Sequence, residues 1–122
     1  MLSPLATSHV QEPRNCGPLD KATHYGQCGV PGEGPYVQIW LSVEQGTIRQ
    51  AAYNCNGCPS TIASSSLIAQ IMQGRTLEQA ALLEPADVIL ILGGLPPGKE
   101  HCAQMAVSAF RSALTTPSER IP

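Results

Sequence analysis

The sequence predicts an α+β domain: a small antiparallel sheet of about three strands with helices packed on one face. Three observations lead there. Residues 36–43 alternate, with Val37, Ile39, Leu41 and Val43 on one face and Gln38, Trp40 and Ser42 on the other, which is the period of a half-buried strand. Glu44-Gln45-Gly46 supplies a turn and residues 47–55 return, making a hairpin and therefore an antiparallel sheet. From Pro59 onward the apolar period becomes helical, so strands come first and helices after.

Each element has its own local reason. Residues 1–22 carry Pro4, Pro13, Gly17 and Pro18 and no sustained period, which reads as a partly flexible arm with one short helical turn before Pro13. Residues 23–35 (THYGQCGVPGEGP) are rich in glycine and proline and read as loop or irregular edge strand. Residues 60–73 place Leu67, Ile68, Ile71 and Met72 on one helical side and stop at Gly74. Thr76 is an N-cap with Gln79 three residues on, the capping-box spacing. The VILIL run at 88–92 has strand propensity, but Pro85, Ala86 and Asp87 before it suit a helix start, and helix is the reading adopted. Residues 93–98 (GGLPPG) form a rigid connector. A last helix over 99–114 turns Cys102, Met105, Ala106, Ala109, Phe110 and Ala113 inward. Residues 1–122 read as a single domain, without internal repeats.

Composition removes several function classes. Of the 122 residues 43% are hydrophobic, enough for one modest core, and only 13% are charged, with a net charge of -2. A chain with no basic stripe has no electrostatic footing on nucleic acid. No apolar run has the length of a membrane span, and the opening MLSPLATSHV lacks the basic and apolar regions of a secretory signal. The expectation is a soluble cytoplasmic domain.

The five cysteines are Cys16, Cys28, Cys55, Cys58 and Cys102. An odd count without a signal argues for metal-bound or reactive thiols over a disulfide framework. Cys58 stands at a strand-to-helix junction with Pro59 in the first helical position, and Cys102 falls in the first turn of the last helix. Both therefore face a positive helix end, which favours thiolate and helps hold an anionic metal–thiolate centre. His101 points about 100° away from Cys102 on a helix, so the two share one metal only at the helix start. Ser60, Ser64, Ser65 and Ser66 have no His–Asp partners and read as a small-residue packing face. Gly32-Glu33-Gly34 is too short, and too acidic, to cradle phosphate. Cys55-Asn56-Gly57-Cys58 also has the redox Cys-x-x-Cys form. The helix follows its second cysteine, though, where a thioredoxin-like attacking thiol is the first, so redox chemistry ranks second.

The order of these motifs resembles the NifU/IscU-type iron–sulfur cluster assembly scaffold, over about residues 9–115. Pro13-Arg14-Asn15-Cys16-Gly17 is similar to that family's P-R-N-x-G, and residues 29–35 (GVPGEGP) to its first ligand loop, G-x-P-x-C-G-D. Residues 57–66 (GCPSTIASSS) resemble the second loop, G-C-x-x-x-I-A-S-S-S, and Leu95-Pro96-Pro97-Gly98-Lys99-Glu100-His101-Cys102 the third, L-P-P-x-K-x-H-C. The resemblance implies a SufE/NifU-like fold and a divergent member of the family. The family's first cysteine is Glu33 here and its aspartate is Pro35, whereas Cys58, His101 and Cys102 are retained.

What the resemblance implies for function is a scaffold, not an enzyme, binding iron or a [2Fe–2S] cluster through Cys58 and Cys102, with Glu33 and His101 completing the metal set. Cys28 or Cys55 stand as substitutes for Glu33. An oxygen donor makes the site harder and suits mononuclear Zn²⁺ or Fe²⁺. A second reading is therefore a zinc-bound sulfur acceptor in which Cys102 takes persulfide sulfur from a cysteine desulfurase. A third is a repurposed metal-binding or interaction module. The implied partners are a cysteine desulfurase, apo iron–sulfur acceptor proteins and an Hsp70-type chaperone docking at residues 95–99. Oligomeric state is left open.

Overall fold

The computed structural model describes residues 4, 5, 17, 19, 21–30 and 32–115. Strands β1 (His24–Cys28), β2 (Tyr36–Glu44) and β3 (Thr47–Asn56) form one antiparallel sheet in the order β1-β2-β3. Four helices follow: α1 (Pro59–Ile71), α2 (Leu77–Ala80), α3 (Pro85–Leu92) and α4 (Glu100–Thr115). Residues 4 and 5 are helical. Pro13 and Cys16 of the expected arm, and the expected helical turn just before Pro13, lie outside the described residues. Gly17 is bonded to the sheet, its N–H donating to the Tyr53 carbonyl at 2.7 Å.

The alternation read from residues 36–43 is the core face of β2: Val37, Ile39 and Leu41 are fully buried under the helices. Ile48, Ala51 and Tyr53 continue that face on β3. Ile48 and Ala51 differ by an odd number, and a bulge where the register shifts between Ser42 and Val43 reconciles them. The other face departs from a simple half-buried strand. Trp40, expected outward, is only 3% exposed, and it packs a ring centroid 5.5 Å from Tyr25 beside it on β1. A large aromatic gains more from such cover than a polar outer face would.

On the helical side α4 lies on β1 and β2, and α1 on β3 and α4. Contact between β1 and α4 is nearly backbone to backbone. A Cβ at Gly26 would collide with the Ala113 nitrogen and the Ala109 carbonyl oxygen, so glycine is the residue that lets the strand approach. Alanines at 103, 106, 109 and 113 thin the helix for the same purpose. The serines of α1 are buried as a small-residue face, with Ser64 Oγ donating to the Ser60 carbonyl at 2.8 Å. The Thr76–Gln79 capping box is present in both directions. Residues 85–92 are helical, started by Pro85 and by the Glu84 N–H donating to Asp87 Oδ2 at 3.0 Å; Val88 and Leu92, one turn apart, enter the core. No helix among the described residues is long and apolar enough to cross a membrane.

Candidate functional site

Cys58 and Cys102 are 44 residues apart in sequence, and the fold brings their sulfurs to 3.4 Å. The sheet delivers one and the bundle the other. β3 ends at Asn56, Gly57 turns the chain, and Cys58 becomes the N-cap of α1, its carbonyl accepting the Thr61 N–H at 2.9 Å. Pro59 starts the helix with no N–H of its own to satisfy. On the other side, the Lys99 N–H donates to the Pro96 carbonyl at 3.1 Å, and the Cys102 N–H donates to that of Lys99 at 3.0 Å. The Pro-Pro segment thus turns directly into α4. Two helix N-termini, each with about half a positive charge, meet at one pair of thiols.

The two thiols are not equivalent. Burial pushes the Cys58 thiol up, but the Thr61 backbone N–H, the Cys102 thiol, the Thr61 hydroxyl and the Ser60 N–H outweigh it. Its pKa is held at about 7. Burial pushes Cys102 up instead, and the Cys58 sulfur keeps it there against the Thr61 hydroxyl and Lys99. Cys102 is 1% exposed, while Cys58 retains an open side. The two thiols titrate as a coupled pair, with Cys58 held down and Cys102 pushed up.

His101 joins them. It is the second residue of α4, early enough in the helix for its ring to turn back toward Cys102. Its Nδ1 lies 3.1 Å from the Gly98 carbonyl, which only accepts, so Nδ1 carries the proton and the Nε2 lone pair faces Cys102 Sγ at 3.6 Å. An imidazole held through one nitrogen and free at the other is the usual arrangement of a metal-binding histidine.

Glu33 is placed differently. It sits exposed in the loop between β1 and β2, where its N–H donates to the Val30 carbonyl at 3.0 Å. Two features put that loop at the thiol end of the sheet. Tyr36 pairs with Asn56, and Asn56 Nδ2 donates to the Gly34 carbonyl at 3.5 Å. The carboxylate nonetheless remains apart. Among the described residues no three or more His, Cys, Asp or Glu side chains are gathered into a set that would hold a metal ion. Cys28 and Cys55 both register against Val37 and so share the core face, about 10 Å apart across two strand spacings. Each is half-buried and packed against the core, and none of the four described cysteines is in a disulfide.

Thr61 was not among the residues singled out from sequence. Its hydroxyl lies 3.8 Å from Cys58 Sγ, and it occupies the space that a side chain at residue 57 would take: a Cβ at Gly57 would stand 2.8 Å from Thr61 Oγ1. The signal was legible as a hydroxyl residue three positions after an N-cap, where side chains return to the cap.

Residues 3–121 match the family model described as the NifU-like N terminal domain. The iron-sulfur cluster assembly scaffold protein IscU of Azotobacter vinelandii is 39% identical over 110 residues, covering 87% of this chain and 85% of that protein. IscU 1 of Archaeoglobus fulgidus, also named a scaffold protein, is 34% identical over 114 residues, covering 93% and 74%. In structure the chain is similar to a putative scaffold protein for the SUF system from Fervidobacterium islandicum. The TM-score is 0.73 at 14% identity, with 93% of this chain and 96% of that one covered.

Proposed function

The chain belongs to the NifU-like N-terminal domain family, and on that footing we propose that it is a scaffold for iron–sulfur cluster assembly whose cargo is iron or a [2Fe–2S] cluster. The observation that supports this most directly is the convergence of Cys58 and Cys102 at 3.4 Å over two helix N-termini, with His101 Nε2 turned toward them. Thiolates suit iron and sulfide, and the helix ends offset the negative charge that such a cargo brings.

On this reading the cargo is held from one side. A tetrahedral ion at about 2.3 Å from each sulfur sets the sulfurs about 3.7 Å apart, so loading needs only a small opening of the pair. With the His101 ring swung in beside the two sulfurs on loading, one position is left to fill. Glu33 fills it when its loop closes toward the Asn56 end of β3, putting a carboxylate where the family's first cysteine would be. Carboxylate is the harder and weaker donor for iron, so the cargo binds more lightly on that side. A cysteine desulfurase supplies the sulfur, apo iron–sulfur proteins receive the cargo, and the segment Leu95-Pro96-Pro97-Gly98-Lys99 is the docking site for an Hsp70-type chaperone.

Anaerobic reconstitution with ferrous iron and sulfide tests the reading. A coloured protein with iron and acid-labile sulfide in matching amounts supports it. A colourless, fully folded protein that carries stoichiometric zinc, or no metal, overturns it.

A further inference from the structure

One face of the helical layer is apolar and open to solvent. Asp87 is the one charged residue of α3, yet only Val88 and Leu92 of that helix enter the core. Leu90 is 78% exposed and Ile91 44%, and Leu82, in the turn after α2, is 77% exposed. Single exposed leucines are ordinary, but these three side chains line one groove of about 290 Å³, and the buried Leu83 lines it with them. The groove also carries one charge of each sign: Arg75, in the turn beyond α1, and Asp87, in the first turn of α3. Among the described residues Arg75 makes no ion pair, and Asp87 gives one carboxylate oxygen to the Glu84 N–H.

We propose that this face joins two copies of the chain about a two-fold axis. The groove and the leucines that would fill such a groove belong to the same face. Each copy therefore offers knob and hole at once, and a contact of that kind closes at two copies instead of growing into a filament. The charges agree with that symmetry. A two-fold axis through the groove turns Arg75 of each copy toward the partner's Asp87, so the same opposite-sign pair forms twice.

The area fits a reversible dimer. Leu82, Leu90 and Ile91 with their polar rim offer about 400 to 600 Å² per copy, the low end of specific protein contacts. Contacts at that end of the range are weak, so association is expected at micromolar concentration and above. A net charge of -2 per copy adds little repulsion. The face also stands clear of the thiols. α1 begins beside Cys58 and reaches the groove only at Ile71, its last residue, about 20 Å along the helix. The contact uses neither thiol.

Analytical ultracentrifugation of the metal-free, fully reduced chain tests this from micromolar to submillimolar concentration. The parent should pass from monomer to dimer across that range. Leu90→Glu, at an exposed position, should weaken dimerisation on the order of tenfold or more with its urea midpoint unchanged. Arg75→Asp and Asp87→Lys should each weaken it as well. An equimolar mixture of those two variants should associate at least as tightly as the parent, because every cross-pair is then of opposite sign. Damage to the fold by either change gives no such rescue. A parent that stays monomeric throughout overturns the proposal. In that case a Leu90→Glu variant of lowered stability assigns the face to residues 116–122 of the same chain, which follow the Arg111–Leu83 contact, and one of unchanged stability leaves it to a different protein. A dimer untouched by Leu90→Glu, or charge variants whose mixture stays monomeric, overturns it too. With no metal present and neither thiol taking part, each of these outcomes leaves the scaffold reading as it stands.

Discussion

The turn that carries Cys58 and the loop that carries Glu33 lie at the same end of the sheet and are both marked by glycine and proline, but they are built on opposite principles. At the turn, each residue is fixed by packing on the next. Gly57 makes room for Thr61, Thr61 reaches the Cys58 sulfur, Pro59 starts a helix, and that helix is buried along most of its length. In the loop, Glu33 is exposed, with its N–H on the Val30 carbonyl, and side-chain bonds reach only its neighbours, from Asn56 to the Gly34 carbonyl and from Gln27 to the Gly29 carbonyl. A ligand on a packed helix end is placed before its cargo arrives. A ligand on such a loop has to be recruited.

The comparison is broken most severely by removing the thiols. Cys58→Ala or Cys102→Ala should each lower iron retention on the order of tenfold or more after desalting, while Glu33→Ala lowers it by a factor of a few. Equal losses in all three would mean that loop and turn are equally placed. Next in size is the packing of the turn itself. Gly57→Val, driven against Thr61, should cost about 2 kcal/mol in urea unfolding, whereas Gly32→Val, with open space around it, should cost about 1 kcal/mol from its positive φ alone.

Glu33→Cys sharpens the contrast from the other direction. A third thiolate offered by the loop should raise the cluster recovered from reconstitution and slow its bleaching, because sulfur bridges to iron–sulfide cores better than oxygen does. An unchanged yield would show that the loop does not close on the cargo. A smaller effect is expected on acidity. Only thiolate alkylates, so the Cys58 rate should rise with pH and reach half its plateau at about 7. Below that pH it falls, as thiol replaces thiolate. Thr61→Val removes one stabilising hydroxyl and should move the midpoint upward, seen in a pH series with peptide-mapped iodoacetamide. The smallest effect is that of Pro35→Asp. It restores a side-chain acceptor and relaxes the loop, and should hasten cargo transfer to an apo-ferredoxin by a factor of a few with little change in unfolding. A parent chain that already transfers as fast would show that hand-over is governed elsewhere.

The regular elements, and the helix-end placement of Cys58 and Cys102, were legible before any coordinates. The hairpin followed from alternation, the short helix from Thr76 and Gln79, and the helix at 85–92 from Pro85 standing before an apolar run. That Cys58 and Cys102 would share a helix-end environment followed from Pro59 and from the segment Pro96-Pro97-Gly98. Three things were not legible. The direction of the His101 ring depends on the Gly98 carbonyl, which is a matter of local backbone geometry. The burial of Trp40 depends on what covers the outer face of the sheet, and a period of two says nothing of that. The position of Glu33 relative to the thiols depends on a loop without periodicity, whose path is set by turns and by Asn56 instead of by a buried face.

Gly26 sets a limit on that loop. Any other residue of β1 brought to its position would drive a Cβ into the backbone of α4, so the strand has one permitted register and Cys28 is pinned beside Val37. Tyr36 is pinned in turn beside Asn56. Glu33 is five residues from Cys28 and three from Tyr36, so fully extended chain carries it at most about 18 Å from the first anchor and about 11 Å from the second. The carboxylate is confined to a small volume at the thiol end, which raises its local concentration far above that of a free carboxylate. On the proposed reading it would compete with water for a bound iron as a tethered donor, at a strength set by the length of its leash.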